Sequence, residues 1–170
     1  MMSLFSLMGK VCVVTGAGRG IGLEFCRAFV EAGCRQLVML DVLEDEVKRS
    51  ALEFAPDVQV LALGCDVTDE SAVKRAFEEA KSAFGGVDVA VACAGLCENW
   101  SALEYPADRV RKLMDVNVMG VLFTAREAAK IMGAGDPSNN RGGSIIVVAS
   151  MSANVSFSLV IGLLLMMNRL

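Results

Sequence analysis

The stretch of this sequence best suited to bind a ligand is rich in glycine: residues 15–22 read TGAGRGIG. It follows a short apolar run and opens a helical pattern, the context in which a glycine cluster is informative. One glycine allows a sharp turn, a second lets a pyrophosphate approach the backbone, and a third brings the helix close to the strand. The N–H groups at the start of that helix suit an anion. We therefore predict a phosphate-binding turn formed by Thr15, Gly16, Gly18, Arg19, Gly20, Ile21 and Gly22.

A carboxylate, Asp41, ends the second predicted strand, where the ribose of an adenosine is expected. It can accept hydrogen bonds from both ribose hydroxyls and would repel a 2′-phosphate, which favours NAD(H) over NADP(H). It can equally cap the helix that follows, and the two roles are compatible. Arg19 argues in the other direction, because a guanidinium beside the pyrophosphate can pair with a 2′-phosphate. The expected cofactor is NAD or NADP, with NAD favoured.

Three further sites lie where predicted strands end. Asp66 can accept a hydrogen bond from an adenine amine, or it can cap the loop before Thr68. The pair Ala94-Gly95 can bring backbone close to a cofactor, or it can form an ordinary turn. Ser150 can donate a hydrogen bond to a substrate carbonyl, or it can cap a turn. The residues alone leave each of these alternatives open.

Asn117 lies inside a predicted helix, a position that asparagine does not favour. Its neighbours Val116, Val118 and Met119 are apolar, so it does not read as part of a solvated face. A buried asparagine needs hydrogen-bond partners. This pattern favours a functional role for Asn117.

The elements that position these residues alternate along the chain. Apolar runs predict strands at residues 10–15, 36–40, 58–63, 87–93 and 144–149. Helical spacing predicts helices at residues 20–32, 43–54 and 108–132, and a further helix that Thr68 caps and residues 85–86 end. Regular alternation indicates an α/β fold, a doubly wound parallel sheet with helices on both faces. Ligands of such sheets bind beyond the carboxyl ends of the strands, where all the candidate residues fall.

The composition narrows the class of protein. A chain of 170 residues suits one domain, and a net charge of −4 argues against binding to nucleic acid. The six cysteines form no CxxC pair, and the sequence has no histidine, so we expect no metal site. Reduced cysteines and the lack of a basic, apolar leader favour a cytoplasmic protein.

The motifs in combination resemble the short-chain dehydrogenase/reductase family over residues 8 to about 153. Residues 15–22 match its TGxxxGxG, Asp66-Val67 its adenine-contact pair, and Ala94-Gly95 the end of its Asn-Asn-Ala-Gly. Asn117 matches its active-site asparagine and Ser150 its catalytic serine. Residues 97–152 look most like fungal polyol dehydrogenases and L-xylulose or sorbose reductases. The resemblance implies a Rossmann-type sheet of order 3-2-1-4-5 without the family's last strands and helices. It also implies NAD(P)-dependent oxidation or reduction of a polyol, sugar or ketone.

The sequence departs from this family in two places. Ala92-Cys93 replaces the two asparagines, and no Tyr-x-x-x-Lys follows Ser150. The one tyrosine is Tyr105 and the last lysine is Lys130, both upstream. Because that tyrosine is the family's general acid/base, we expect impaired catalysis. The alternative is a non-catalytic dinucleotide-binding remnant that pairs with a full-length paralogue.

The C-terminal residues form a separate feature. We predict a nucleotide-binding domain over residues 1–153 and an atypical apolar tail over 154–170. A shortened product or a misassigned reading frame accounts for this tail better than a new enzyme design. A helix in the tail would leave the edge of strand five exposed or only partly covered. We expect self-association through that edge and the tail.

Overall fold

Five parallel strands form one sheet in the computed structural model, which describes residues 6–54, 56–98, 100–101, 103–133 and 142–150. The strands are β1 (Val11–Thr15), β2 (Gln36–Asp41), β3 (Gln59–Gly64), β4 (Val89–Ala92) and β5 (Ser144–Val147). The helices are α1 (Gly20–Glu31), α2 (Glu44–Ala51), α3 (Glu70–Phe84), α4 (Ala107–Met114) and α5 (Val121–Ile131). The strand order is β3-β2-β1-β4-β5, which confirms the predicted fold class and order.

The core forms two layers, one on each face of the sheet. Successive side chains of β1 alternate between them: Cys12 and Val14 pack with Leu37 on one face, and Val13 packs with Phe77 of α3 on the other. Both layers are shielded from water, so β1 and β4 are buried along their whole length. This accounts for their continuous apolar sequences.

The predicted cap of the third helix was wrong. The N-cap residue of α3 is Asp69, whose carboxylate accepts a hydrogen bond from the Ser71 N–H at 2.8 Å. Thr68 turns back instead, and both its N–H and its hydroxyl donate to Asp66. A carboxylate near a helix N-terminus also interacts favourably with the helix dipole, which favours Asp69 as the cap.

The predicted helix over residues 108–132 is a helical run of three segments. Between α4 and α5 lies a π-helical stretch, Asp115–Gly120, which contains Asn117. Such stretches are rare and frequently occur at functional sites. The wider turn changes the direction of the side chains relative to a regular α-helix.

β5 is an edge strand among the described residues. The N–H groups of Ser144 and Val148 donate to the carbonyls of Asp88, just before β4, and Ala92, so by alternation the backbone groups of Ile145 and Val147 face the other side. Their side chains are 38% and 44% exposed, respectively. The predicted tail lies outside the described residues, as does the end of the predicted domain after Ser150. No helix in the described part of the chain is long and apolar enough to span a membrane.

Candidate functional site

A cleft of about 760 Å³ opens at the carboxyl edge of the sheet. The loops after β1, β2, β3 and β4 line it, and α4 closes one side. Nine predicted cofactor residues line the cleft: Gly16, Arg19, Ile21, Gly22, Asp41, Asp66, Val67, Ala94 and Gly95. Four separate stretches of sequence are therefore brought together, as the parallel topology predicts.

Two glycines of the turn are required by close backbone packing. Gly16 has a φ of +69°, and a Cβ there would lie 2.8 Å from the Cα of Ala94. A Cβ on Gly22 would lie 2.0 Å from the carbonyl oxygen of Gly16. Side chains at these two positions would push the turn away from α1 and from the end of β4. The result is a bare backbone surface at the start of α1, which fits a pyrophosphate.

Asp41 joins the end of β2 to the glycine turn. Its Oδ2 accepts a hydrogen bond from the Gly18 N–H at 2.9 Å, and its Oδ1 accepts one from the Leu43 N–H at 3.0 Å. The N-cap residue of α2 is Leu43, so Asp41 binds beside the cap rather than forming it. An ionised carboxylate has about four acceptor sites, so each oxygen retains capacity for a hydroxyl donor.

The guanidinium of Arg19 extends toward α2. Its Nε lies 4.0 Å from a carboxylate oxygen of Glu46, and the side chain is 74% exposed. An exposed ion pair of this kind adds little stability, typically below about 1 kcal/mol. The ion pair orients the Arg19 side chain toward α2, and the carboxylate of Glu46 partly neutralises the positive charge that could attract a 2′-phosphate.

Three residues predicted to bind the cofactor do not line the cleft. Thr15 is only 1% exposed, and its hydroxyl accepts hydrogen bonds from the N–H groups of Cys93 and Ala94 at 3.1 and 3.2 Å. It therefore positions the loop after β4. Gly18 is buried with its N–H held by Asp41, and Gly20 is exposed with a φ of +57°.

Asp66 forms the loop cap that the sequence left as an alternative. Its Oδ1 accepts hydrogen bonds from the N–H and hydroxyl of Thr68 at 2.9 and 2.8 Å. The residue remains exposed at the cleft, so its other oxygen is open to a ligand donor. Val67 is buried beneath it and packs on Gly120, where a Cβ would lie 2.6 Å from a Val67 methyl.

Asn117 holds the loop after β4. Its side-chain oxygen accepts a hydrogen bond from the Leu96 N–H, and its side-chain nitrogen donates to the Leu96 carbonyl, each at 2.8 Å. Leu96 lines the cleft and Asn117 does not. Ser150, the other predicted catalytic residue, lies three positions beyond β5 and is exposed outside the cleft lining.

Two thiols line the cleft, at Cys65 and Cys93. Burial raises the pKa of Cys65 to about 11, and it also raises the pKa of Cys93. Both side chains are therefore protonated at neutral pH and poorly suited to act as nucleophiles. The arrangement fits ligand binding rather than covalent catalysis by cysteine.

Sequence reasoning missed the contribution of α2 and α4 to the site. Ser50 of α2 donates a hydrogen bond to the carbonyl oxygen of Gly18 at 2.7 Å. Charged residues of α4 and the π-helical stretch also line the cleft, namely Asp108, Arg111, Lys112 and Asp115. No local sequence signal marks Ser50, because its partner lies 32 residues away. The α4 residues resemble an ordinary solvated helix face.

Comparison with known proteins agrees with this geometry. A family model described as short chain dehydrogenase matches residues 10–161. The L-rhamnose 1-dehydrogenase (NAD(P)(+)) of Azotobacter vinelandii is 36% identical over 154 residues, 88% of this chain and 58% of that protein. The sorbitol dehydrogenase of Cereibacter sphaeroides is 33% identical and covers 91% of this chain and 57% of its own length.

A solved structure shows the same fold. The crystal structure of a short-chain type dehydrogenase/reductase from Mycobacterium marinum superposes with a TM-score of 0.84 at 34% identity. The match covers 91% of this chain and 59% of that one. The chain thus spans little more than half the length of the relatives it matches.

Proposed function

The chain belongs to the short-chain dehydrogenase/reductase family, and from that premise we propose that it binds NAD(H) in the cleft. The observation that carries the proposal is the glycine turn, whose backbone lies bare because side chains at Gly16 and Gly22 would collide with neighbouring backbone. Such a surface at a helix N-terminus suits a pyrophosphate. The exposed carboxylate of Asp66 would contact the adenine, with Val67 beneath it and Ala94-Gly95 along the opposite wall.

We assign the preference for NAD(H) over NADP(H) to Asp41. Its two backbone hydrogen bonds hold the carboxylate in the cleft, where it would accept the ribose hydroxyls. A 2′-phosphate there would meet a fixed negative charge. Arg19, the one residue of the turn that would favour such a phosphate, is paired with Glu46.

The reaction class we propose is oxidoreduction of a polyol, sugar or ketone, since relatives named for L-rhamnose and sorbitol match most of the chain. When bound, the nicotinamide group supplies the hydride acceptor or donor. In this chain Asn117 holds Leu96 at the cleft wall. Ser150 lies beyond β5 and outside the cleft lining, so it would donate a hydrogen bond only to a substrate that extends past the cleft.

The 170-residue chain lacks the family's usual proton donor for the substrate oxygen. No tyrosine or lysine follows Ser150 in the 170-residue sequence, and a positioned general acid contributes about 10²–10⁴-fold to a rate. We therefore propose that this 170-residue chain binds the cofactor but turns substrate over only at a trace rate. The second candidate function we propose for the 170-residue chain is a dinucleotide-binding partner of a full-length paralogue, which uses the same cleft without turnover.

The test is a cofactor titration combined with a turnover assay on the 170-residue chain. We expect saturable NADH binding that raises the melting temperature, with at most trace oxidation of sorbitol or reduction of L-sorbose. No binding of either dinucleotide would contradict the proposal. Turnover within about tenfold of an ordinary short-chain dehydrogenase, abolished by Ser150→Ala, would show that another group replaces the tyrosine.

A further inference from the structure

We propose that Ser50 is a positioning residue for the cofactor: it holds the glycine turn in the conformation that receives the pyrophosphate. This inference rests on the proposed binding of NAD(H). Ser50 lies in the last turn of α2, is 7% exposed, and donates its hydroxyl proton to the Gly18 carbonyl oxygen at 2.7 Å.

The peptide groups on both sides of Gly18 are held by side chains from outside the turn. Its N–H donates to Asp41 at 2.9 Å, and its carbonyl accepts from Ser50 at 2.7 Å. Gly18 is buried, so each of these backbone groups would lack a partner without its side chain. Asp41 can exchange a donor for a ligand hydroxyl, but Ser50 lies outside the cleft lining. Ser50 therefore acts through Gly18.

Helix α2 provides a fixed platform for this contact. Its Val47 is completely buried against the layer that contains Leu37, which anchors the helix to the sheet. Glu46 and Ser50 are four residues apart and so project from the same face, toward Arg19 and Gly18 respectively. One helix face thus contacts two consecutive residues of the turn, and Ser50 supplies the short, buried contact.

The hydrogen bond from Ser50 affects cofactor affinity because it holds the turn that the pyrophosphate would contact. A pyrophosphate must meet backbone N–H groups that already point at it, because ordering a mobile turn on binding lowers affinity. Loss of the Ser50 hydroxyl would release the Gly18 carbonyl and let the turn sample other orientations. Ligands that carry a pyrophosphate should lose affinity, and ligands without one should not.

The experiment compares two ligands on the full 170-residue chain, ADP-ribose and adenosine, by calorimetric titration. We expect Ser50→Ala to weaken ADP-ribose binding about fivefold to tenfold, the worth of one hydrogen bond, and to change adenosine binding less than about twofold. Hydrogen exchange at Gly18 and Gly20 should accelerate. Ser50→Cys retains the size of the side chain with a weak donor and should give the same selective loss, which decides the matter if the alanine variant does not fold.

Thr124→Val is the matched control. The Thr124 hydroxyl is also buried and donates to a glycine carbonyl, that of Gly120, at 2.8 Å. Thr124→Val should lower the free energy of unfolding, and it should change the affinities for ADP-ribose and adenosine by the same factor. Equal losses for ADP-ribose and adenosine in Ser50→Ala, or no loss, would overturn the role of Ser50 while leaving cofactor binding intact. Failure of the unmodified chain to bind ADP-ribose would overturn the proposed function itself, and this inference with it.

Discussion

The side-chain amide of Asn117 and the backbone of Leu96 form a closed pair of hydrogen bonds, each 2.8 Å long. The pair ties the π-helical stretch to the loop after β4, which forms one wall of the cleft. The asparagine amide carries a separate acceptor and donor, so one side chain satisfies both the N–H and the carbonyl of Leu96.

Asn117→Ala should lower the free energy of unfolding by about 1–3 kcal/mol, because the Leu96 backbone groups lose their partners in a half-buried place. Urea denaturation measures the loss, and hydrogen exchange at Leu96 should accelerate. Met119→Ala is the control, since Met119 lies on the same stretch but is exposed. Equal destabilisation by the two variants would contradict this account.

Asp41→Ala should weaken NADH binding and relax the exclusion of NADPH. The variant removes the acceptor for the ribose hydroxyls and the charge that opposes a 2′-phosphate. Fluorescence titration with each dinucleotide gives the two dissociation constants. The constant for NADPH divided by that for NADH should fall by about tenfold or more. Asp45→Ala, an exposed carboxylate in the first turn of α2, should leave the ratio unchanged. A wild-type chain with equal affinity for both cofactors would refute the preference.

Gly22→Ala should unfold the glycine turn or the whole chain. The added Cβ would lie 2.0 Å from the Gly16 carbonyl oxygen, a backbone atom that cannot rotate away. Overpacking in a well-packed interior costs about 1–3 kcal/mol and sometimes more. Gly95→Ala is the matched control, because its Cβ would meet nothing nearer than 3.6 Å. Thermal unfolding followed by circular dichroism compares the two, and similar melting temperatures would contradict the packing argument.

Among the described residues β5 pairs on one side only, and we expect the 170-residue chain to self-associate through its other edge, with a second copy as the partner. The backbone groups of Ile145 and Val147 face that edge, and an unpaired apolar strand invites pairing with another strand. Val147→Lys should shift sedimentation toward the monomer by placing a charge on the edge. Leu52→Lys, at the exposed end of α2, is the control and should not change it. A monomeric unmodified chain at all concentrations would refute this prediction.

Much of the fold followed from local pattern. Continuous apolar runs separated by helical spacing predict parallel strands covered on both faces. The central strands β1 and β4 are buried along their whole length, as this pattern predicts, whereas the edge strands β3 and β5 are partly or largely exposed. The strand order did not follow from the pattern. Alternation is compatible with several orders, and the order 3-2-1-4-5 came from the resemblance to a family.

The candidate site divides in the same way. A glycine turn after a strand is a local feature, so the residues at 15–22 and Asp41 stood out in the sequence. The sequence did not show which residues of this turn line the cleft and which hold the surrounding backbone. The Thr15 hydroxyl bonds to the backbone after β4, and the backbone of Gly18 bonds to Asp41 and Ser50. These partners are distant in sequence, so their contacts could not be predicted from the turn itself.

A glycine-rich turn after a strand, an acidic strand end and an asparagine inside a helix can all be predicted from the sequence alone, since each depends on residues within a few positions of one another. The contacts of Asn117 with Leu96 and of Ser50 with Gly18 are visible only in the folded chain. A serine or asparagine side chain can bond to many backbone groups, and nothing in the neighbouring sequence indicates which one it meets. Packing of α2 and of the π-helical stretch against the sheet edge selects which backbone group it meets.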